Sequence, residues 1–222
     1  MNNDSRQRIL ARIAASLGRD AAAADASAAA SYAVLPREYR AANRPAQPAQ
    51  SIPRFLERLH EYNAECTRVS SQADIAPAIA AVLAARGLSA LAVVAGIPPE
   101  WLPSDFDFPQ AEPLTAAELD RQPGILTACT AAIAETGSLV LQSGPRQGLR
   151  RHTLVPDFHL CIVFERQLVA TVPEVFARDF VWLNPELPTT FISGPSATAD
   201  IEMTRIKGVH GPRVLHVLLV AD

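Results

Sequence analysis

The stretch ADIAPAIAAVLAARGLSALAVVAG, residues 73–96, decides the fold class. From Ala73 to Ala85 it is almost wholly apolar over a helical length, and Gly87 stands just past the last apolar residue, where a helix stops. Leu91 to Ala95 then runs without a polar position and is closed by Gly96. A strand apolar on both faces belongs inside a parallel sheet. The same order occurs upstream. Ile52, Phe55, Leu56, Leu59 and Tyr62 recur on one helix face, and Thr67 to Ser70 reads as a short strand. Helix, strand, helix, strand is an α/β rhythm.

Downstream, Thr115 to Arg121 predicts a short helix, followed by apolar or mixed runs at 125–133 and 138–142. Leu160–Phe164 and Leu168–Val172, separated by Glu-Arg-Gln, read as a β-hairpin. Phe176–Leu183 reads as a helix, Thr189–Ile192 as a strand, and Ala197–Ile206 as a helix closed by Gly208. Val214–Val220 is the final buried strand.

Towards the other end, Asn3 and Asp4 cap a short amphipathic helix carrying Ile9, Leu10, Ile13 and Leu17. From Gly18 to Gln50 the chain is rich in Ala, Ser, Pro and Gln, a composition that buries too little surface to order itself, with a helical turn expected near Tyr39. The reading is therefore a helix and linker over 1–50 and one α/β domain over 51–222. The 222 residues suit that division.

With 20 Lys+Arg against 23 Asp+Glu the net charge is −3, so no cationic surplus exists to neutralise a nucleic-acid backbone. No apolar stretch approaches the roughly 20 residues of a membrane span. The opening MNNDSRQRIL lacks the basic start and apolar core of a secretory signal, so a cytoplasmic location is expected. Cys66, Cys129 and Cys161 stand far apart without a C-x-x-C pair, and His152 and His159 match no ligand spacing. No metal site or cofactor is expected in this chain, and a redox centre is expected on a partner.

Two stretches carry candidate chemistry. In ISGPSATADIEMTRIKGVHGP, residues 192–212, a strand enters a Gly-Pro-Ser turn ahead of the expected helix. Free N–H groups and the helix dipole there favour a carboxylate or phosphate, with Ser193, Ser196 and Thr198 adding hydroxyls. Asp200 and Glu202 leave ordinary helix capping open beside ligand binding. His210, in a glycine-flanked loop, suits acid–base work or a structural hydrogen bond. In IAETGSLVLQSGPRQGLRRHTLVPDFHL, residues 133–160, Glu135 precedes a glycine turn with Thr136 and Ser138 beside it, and Arg146, Arg150 and Arg151 form a basic cluster. A guanidinium grips a carboxylate or phosphate bidentately. Glu135 suits a base or nucleophile, or a salt bridge. Gly137 and Gly194 would let backbone approach a ligand closely, and Glu135, Arg150, Ser193 to Thr198, Asp200 and His210 are expected to share one crevice.

The chain resembles the lactate-utilisation protein C family of LUD-domain proteins. The resemblance lies in Ala134-Glu135-Thr136-Gly137-Ser138, Arg150 with Thr153-Leu154-Val155-Pro156-Asp157-Phe158-His159, Ile192 to Glu202, and Gly208-Val209-His210-Gly211-Pro212, in the family's order. It implies a three-layer α/β/α sheet similar to the ribose-phosphate isomerase, glucosamine-phosphate deaminase and CoA-transferase superfamily, and adds His159 to the ligand-binding candidates. It also implies a non-redox component that works with iron–sulfur partner proteins in oxidising L-lactate to pyruvate. The alternative is a stand-alone enzyme handling a CoA ester or sugar phosphate through Glu135, which resembles in type and rough location the glutamate that attacks the thioester in CoA transferases.

Overall fold

The computed structural model describes residues 3–18, 28, 30–35, 48–177, 186–199, 205–207 and 211–221. The chain divides into Met1–Arg40 and Ala41–Asp222. In the first unit, helix α1 (Asn3–Ser16) carries an Asp4–Arg8 ion pair of 3.0 Å. Its Ile9, Leu10, Ile13 and Leu17 are exposed.

The second unit begins with α2 (Pro48–Glu61), whose Ile52, Phe55 and Leu59 are buried as their helical spacing demands. Asn63 ends it in the left-handed region at φ 59°, and the Ala64 N–H donates back to the Leu59 carbonyl at 2.9 Å. That closure turns the chain straight into β1 (Glu65–Val69). Helix α3 (Ile75–Ala85) and β2 (Ala92–Val93) follow, then α4 (Ala116–Asp120), which Thr115 and Glu118 cap reciprocally.

The central sheet has the order β1-β11-β6-β3-β2, with β3 Ile125–Ala128, β6 Phe158–Phe164 and β11 Val214–Val220, and every pairing is parallel. β6 lies at the centre between β11 and β3, and β6 and β11 are apolar on both faces except at His159 and His216. A second sheet, β7-β4-β5-β8, comprises β4 (Ala131–Ile133), β5 (Ser138–Gln142), β7 (Leu168–Val169) and β8 (Thr189–Ile192).

On one face of the central sheet, Ile75, Ile79 and Leu83 of α3 pack with Leu126, Leu160, Ile162 and Leu218. On the other, Phe55 and Leu59 of α2 and Leu139 and Leu141 of β5 pack against Cys161, Val163, Val217 and Leu219. Each fully buried aliphatic or Phe side chain contributes about 1.5–3 kcal/mol. The fold is α/β as expected, with one difference in the layers: the second face is covered by α2 and a small sheet together, not by helices alone. Helix α5 (Val172–Ala177) contributes Val175 to a minor cluster with Ile133, Val140 and Val169.

Three expectations are corrected. Leu160–Phe164 and Leu168–Val172 form no hairpin: β6 pairs with β3 and β11, whereas β7 pairs with β4. Short connections suggest hairpins, but an apolar seven-residue strand finds more burial inside the parallel sheet. The helix expected over Ala197–Ile206 is replaced at its described ends by strands, since β9 (Ala197–Ala199) and β10 (Arg205–Lys207) pair antiparallel with Thr198 opposite Ile206. Residues branched at Cβ such as these two favour extended backbone. The helix expected from Phe176 instead spans Val172–Ala177, and its expected continuation at 178–183 lies outside the described residues, as does Tyr39.

Candidate functional site

The β5–β8 register places Leu139 opposite Ile192, so Ser138 and Ser193 emerge at the same end of the small sheet. Their hydroxyl oxygens are 2.6 Å apart, and Thr136 Oγ1 lies 2.8 Å from Ser138 Oγ. Three hydroxyls thus form one row, running from the half-buried Thr136 through the buried Ser138 to the exposed Ser193. Glu135 is half-buried at the turn that follows β4, and its N–H donates to the Ala170 carbonyl at 3.0 Å.

Gly137 and Gly194 flank the row with φ of 61° and 82°. The close approach they permit is by α2, not by a ligand: a Cβ at 137 would lie 2.6 Å from Arg58 Cβ, and one at 194 would lie 2.5 Å from Tyr62 Cβ. The end of α2 therefore brings Arg58 and Tyr62 to the site, two residues that sequence reading missed as candidates. Tyr62 continues the apolar stripe of α2, which read only as core. Arg58 is ion-paired with Glu61, and its Nε is buried without a hydrogen-bond partner.

Ser196 joins the other stretch: its N–H donates to the Pro212 carbonyl at 2.7 Å, and Gly211 lies against its side chain. This bond, with the strand pair that follows, replaces the helix N-terminus expected to bind an anion there. Thr198 sits in β9, while Asp200, Glu202 and His210 lie outside the described residues.

Arg150 does not reach the row. It lines a crevice with Gln142, Ser143 and Thr190 at the opposite end of β5, about 14 Å along a five-residue strand. The crevice holds a void of about 10 Å³, room for one water, so a ligand would meet the exposed guanidinium at the surface. The basic loop around it crosses the carboxyl ends of the central strands. Arg146 N–H donates to the Ala95 carbonyl, and Ala128 N–H donates to the Arg146 carbonyl. Here a further residue went unnoticed in the sequence: Glu112 Oε1 accepts the Ala95 N–H at 2.8 Å, its Oε2 is buried without a partner, and Arg151 donates to its carbonyl. An isolated glutamate in a Pro-rich loop gives no pattern to read.

His159 is fully buried and is out of a ligand's reach. Its Nε2 lies 2.7 Å from Thr127 Oγ1 across the β3–β6 pair, and Nδ1 has no partner. His152 is likewise buried, and desolvation holds it below its ordinary pKa. Among the described residues no group of three or more His, Cys, Asp or Glu could hold a metal ion, and no helix is long and apolar enough to cross a membrane.

The parallel five-stranded sheet with its attached small sheet makes this an α/β protein, and the LUD domain matches residues 111–220. A lactate utilization protein C from Deinococcus radiodurans is 42% identical over 177 residues, 79% of this chain and 82% of the relative. Another, from Exiguobacterium, is 34% identical over 131 residues, 55% of this chain and 56% of its own. The crystal structure of a DUF162 family protein from Deinococcus radiodurans, 37% identical, superposes with a TM-score of 0.63 over 79% of this chain and 99% of that one. The chain belongs to the lactate utilization protein C family of LUD-domain proteins.

Proposed function

We propose that this chain is a non-redox component of a lactate-utilisation system, acting with iron–sulfur partner proteins that carry the electrons as L-lactate is oxidised to pyruvate. The observation that carries the reading is the 42% identity along 82% of a lactate utilization protein C. The donor chemistry supports the non-redox part: Cys129 and Cys161 are in the core, and Cys66 lies on a different strand. The exposed Arg150 is suited to a small anionic ligand such as a carboxylate, and the hydroxyl row at the other end of β5, with Ser193 open to solvent, offers hydrogen-bond donors of its own.

The test is complementation. A bacterium lacking its own lactate utilization protein C should regain growth on L-lactate when it expresses this chain together with the cognate iron–sulfur proteins. Failure of a well-expressed chain to restore growth would refute the assignment. A second reading, transfer of a CoA ester or attack on a sugar phosphate through Glu135, rests on that carboxylate's half-buried place beside Thr136 and Ser138. It requires a covalent adduct on Glu135 after incubation with an acyl-CoA, detectable by peptide mass mapping.

A further inference from the structure

The opposite face of the central sheet carries a second arrangement. Glu65 and Thr67, two apart on β1, project to the α3 side, and Glu65 is in register with His216 of β11. His216 Nδ1 lies 2.9 Å from Glu65 Oε2, and its Nε2 lies 2.9 Å from Thr67 Oγ1. A carboxylate only accepts hydrogen bonds, so Nδ1 carries the proton and the Nε2 lone pair faces the threonine hydroxyl. Arg86, at the end of α3, pairs with Glu65. These groups form one wall of a groove of about 430 Å³, and Ala78, Ala81, Val82 and Ala85 of α3 form the other. The volume falls within the range of small-molecule sites.

We propose that Thr67, His216 and Glu65 form an acyl-transfer site that accepts short-chain acyl esters or thioesters. A nucleophile bonded to a base that a third group orients is the arrangement that activates a hydroxyl. Thr67 Oγ attacks the acyl carbonyl carbon while its proton passes to His216 Nε2. The bond to the leaving alcohol or thiol breaks, and that group takes the proton from Nε2. Water then attacks the acyl-threonine by the same proton route, releasing the acid and restoring the hydroxyl. Arg86 presents its positive charge to the carbonyl oxygen, and the small side chains of α3 leave room for a short aliphatic acyl group. Burial pushes His216 below its ordinary pKa against the opposing pull of Glu65, which leaves the imidazole neutral and able to accept a proton near neutral pH.

The experiment uses the full chain with p-nitrophenyl butyrate. The expected result is release of p-nitrophenolate with a butyryl group mapped by mass spectrometry to Thr67. Thr67→Val, of equal size, should remove the adduct and slow release about 100-fold or more, and His216→Gln should do the same. Glu65 is a positioning residue. Among the described residues, the charged and polar groups facing the imidazole are Glu65 and Thr67 from β1 and Arg86 just past α3, so Glu65→Gln should shift the pH midpoint of the rate downward. No turnover by the unmodified chain, an adduct on Cys66 or elsewhere, or undiminished turnover by Thr67→Val would each overturn the proposal.

Discussion

Gly194 is seated against Tyr62 so closely that a Cβ on it would lie 2.5 Å from Tyr62 Cβ and 3.0 Å from the ring's Cγ, with φ at 82°. Two costs coincide there: a left-handed backbone, about 1–2 kcal/mol for an L-residue, and a clash with a packed helix, about 1–3 kcal/mol. Gly87 isolates the first cost, since its φ is 64° and nothing lies within 4 Å of its Cβ position. Gly194→Ala should therefore destabilise by about 2–5 kcal/mol and Gly87→Ala by only about 1–2. Urea denaturation of both variants checks this. Equal losses would show that α2 gives way freely.

The centre of the hydroxyl row should matter more to stability than its exposed end. Ser138 bonds both neighbours and is buried, so Ser138→Ala leaves Thr136 with a lost partner and should cost about 0.5–1.5 kcal/mol. Ser193 is exposed, and water replaces its bond. Ser193→Ala should be near neutral in urea denaturation, while in the complementation assay it should impair growth if the row binds ligand.

The elements that were legible in the sequence are those whose burial is local in pattern. Phe55 and Leu59 share a helical stripe, Ile79 and Leu83 recur four apart, and Leu215 to Val220 has no polar position except His216, so α2, α3 and β11 follow directly. Residues 197–206 did not. Their alanine and acidic content favours a helix locally, and the bonds that decide otherwise, Ser196 to Pro212 and Thr198 opposite Ile206, join positions whose proximity no spacing encodes. The same limit split the site. Glu135 and Arg150 flank one strand in sequence, and the β5–β8 register puts them at its opposite ends. Gly137 and Gly194, read as letting backbone approach a ligand, lie instead against Arg58 of α2 and against the Tyr62 side chain just past its end.

Acid should destabilise the fold in two windows. His152 and His216 are both held below their ordinary pKa, chiefly by burial. The unfolded chain then binds more protons than the folded one, so the stability they contribute is complete above about pH 6.5 and is lost as pH falls. Glu65 behaves alike lower down. Burial pushes its pKa up, but the hydrogen bond and charge of Arg86, with a further contribution from His216, outweigh that and hold it low, so its contribution is lost below about pH 4.5. Urea midpoints at pH 7.5, 6 and 5 should fall in order, and His216→Gln should flatten the upper part of the profile. An unchanged slope in that variant would exclude His216 as a source.

The thiols should be silent in the native protein. Cys129 and Cys161 are buried beside each other, out of a reagent's reach, and the hydrogen bond with Cys161 together with burial raises Cys129 well above the usual thiol range. Cys66 is half-buried on β1, and desolvation pushes it up to about 11, which leaves little thiolate at neutral pH. A chromogenic disulfide reagent should therefore react slowly with the folded chain and promptly with three thiols once it is unfolded in guanidinium. Rapid labelling of the native chain would mean that the core opens readily.

A division at Ser51 would cut into the first turn of α2, where Ser51 and Ile52 are already buried, whereas the units separate between Arg40 and Ala41. Deleting residues 1–40 should leave a cooperative thermal transition within a few degrees of the full chain, because no residue of the buried clusters is lost. Deleting residues 1–61 removes Ile52, Phe55 and Leu59, together worth about 5–9 kcal/mol of burial. That is comparable with the whole stability of a typical domain, roughly 5–15 kcal/mol, and it bares one face of the central sheet. Calorimetry should then show no cooperative transition for the longer deletion. A sharp transition without α2 would mean that the helix is an accessory to the sheet rather than half of its second face.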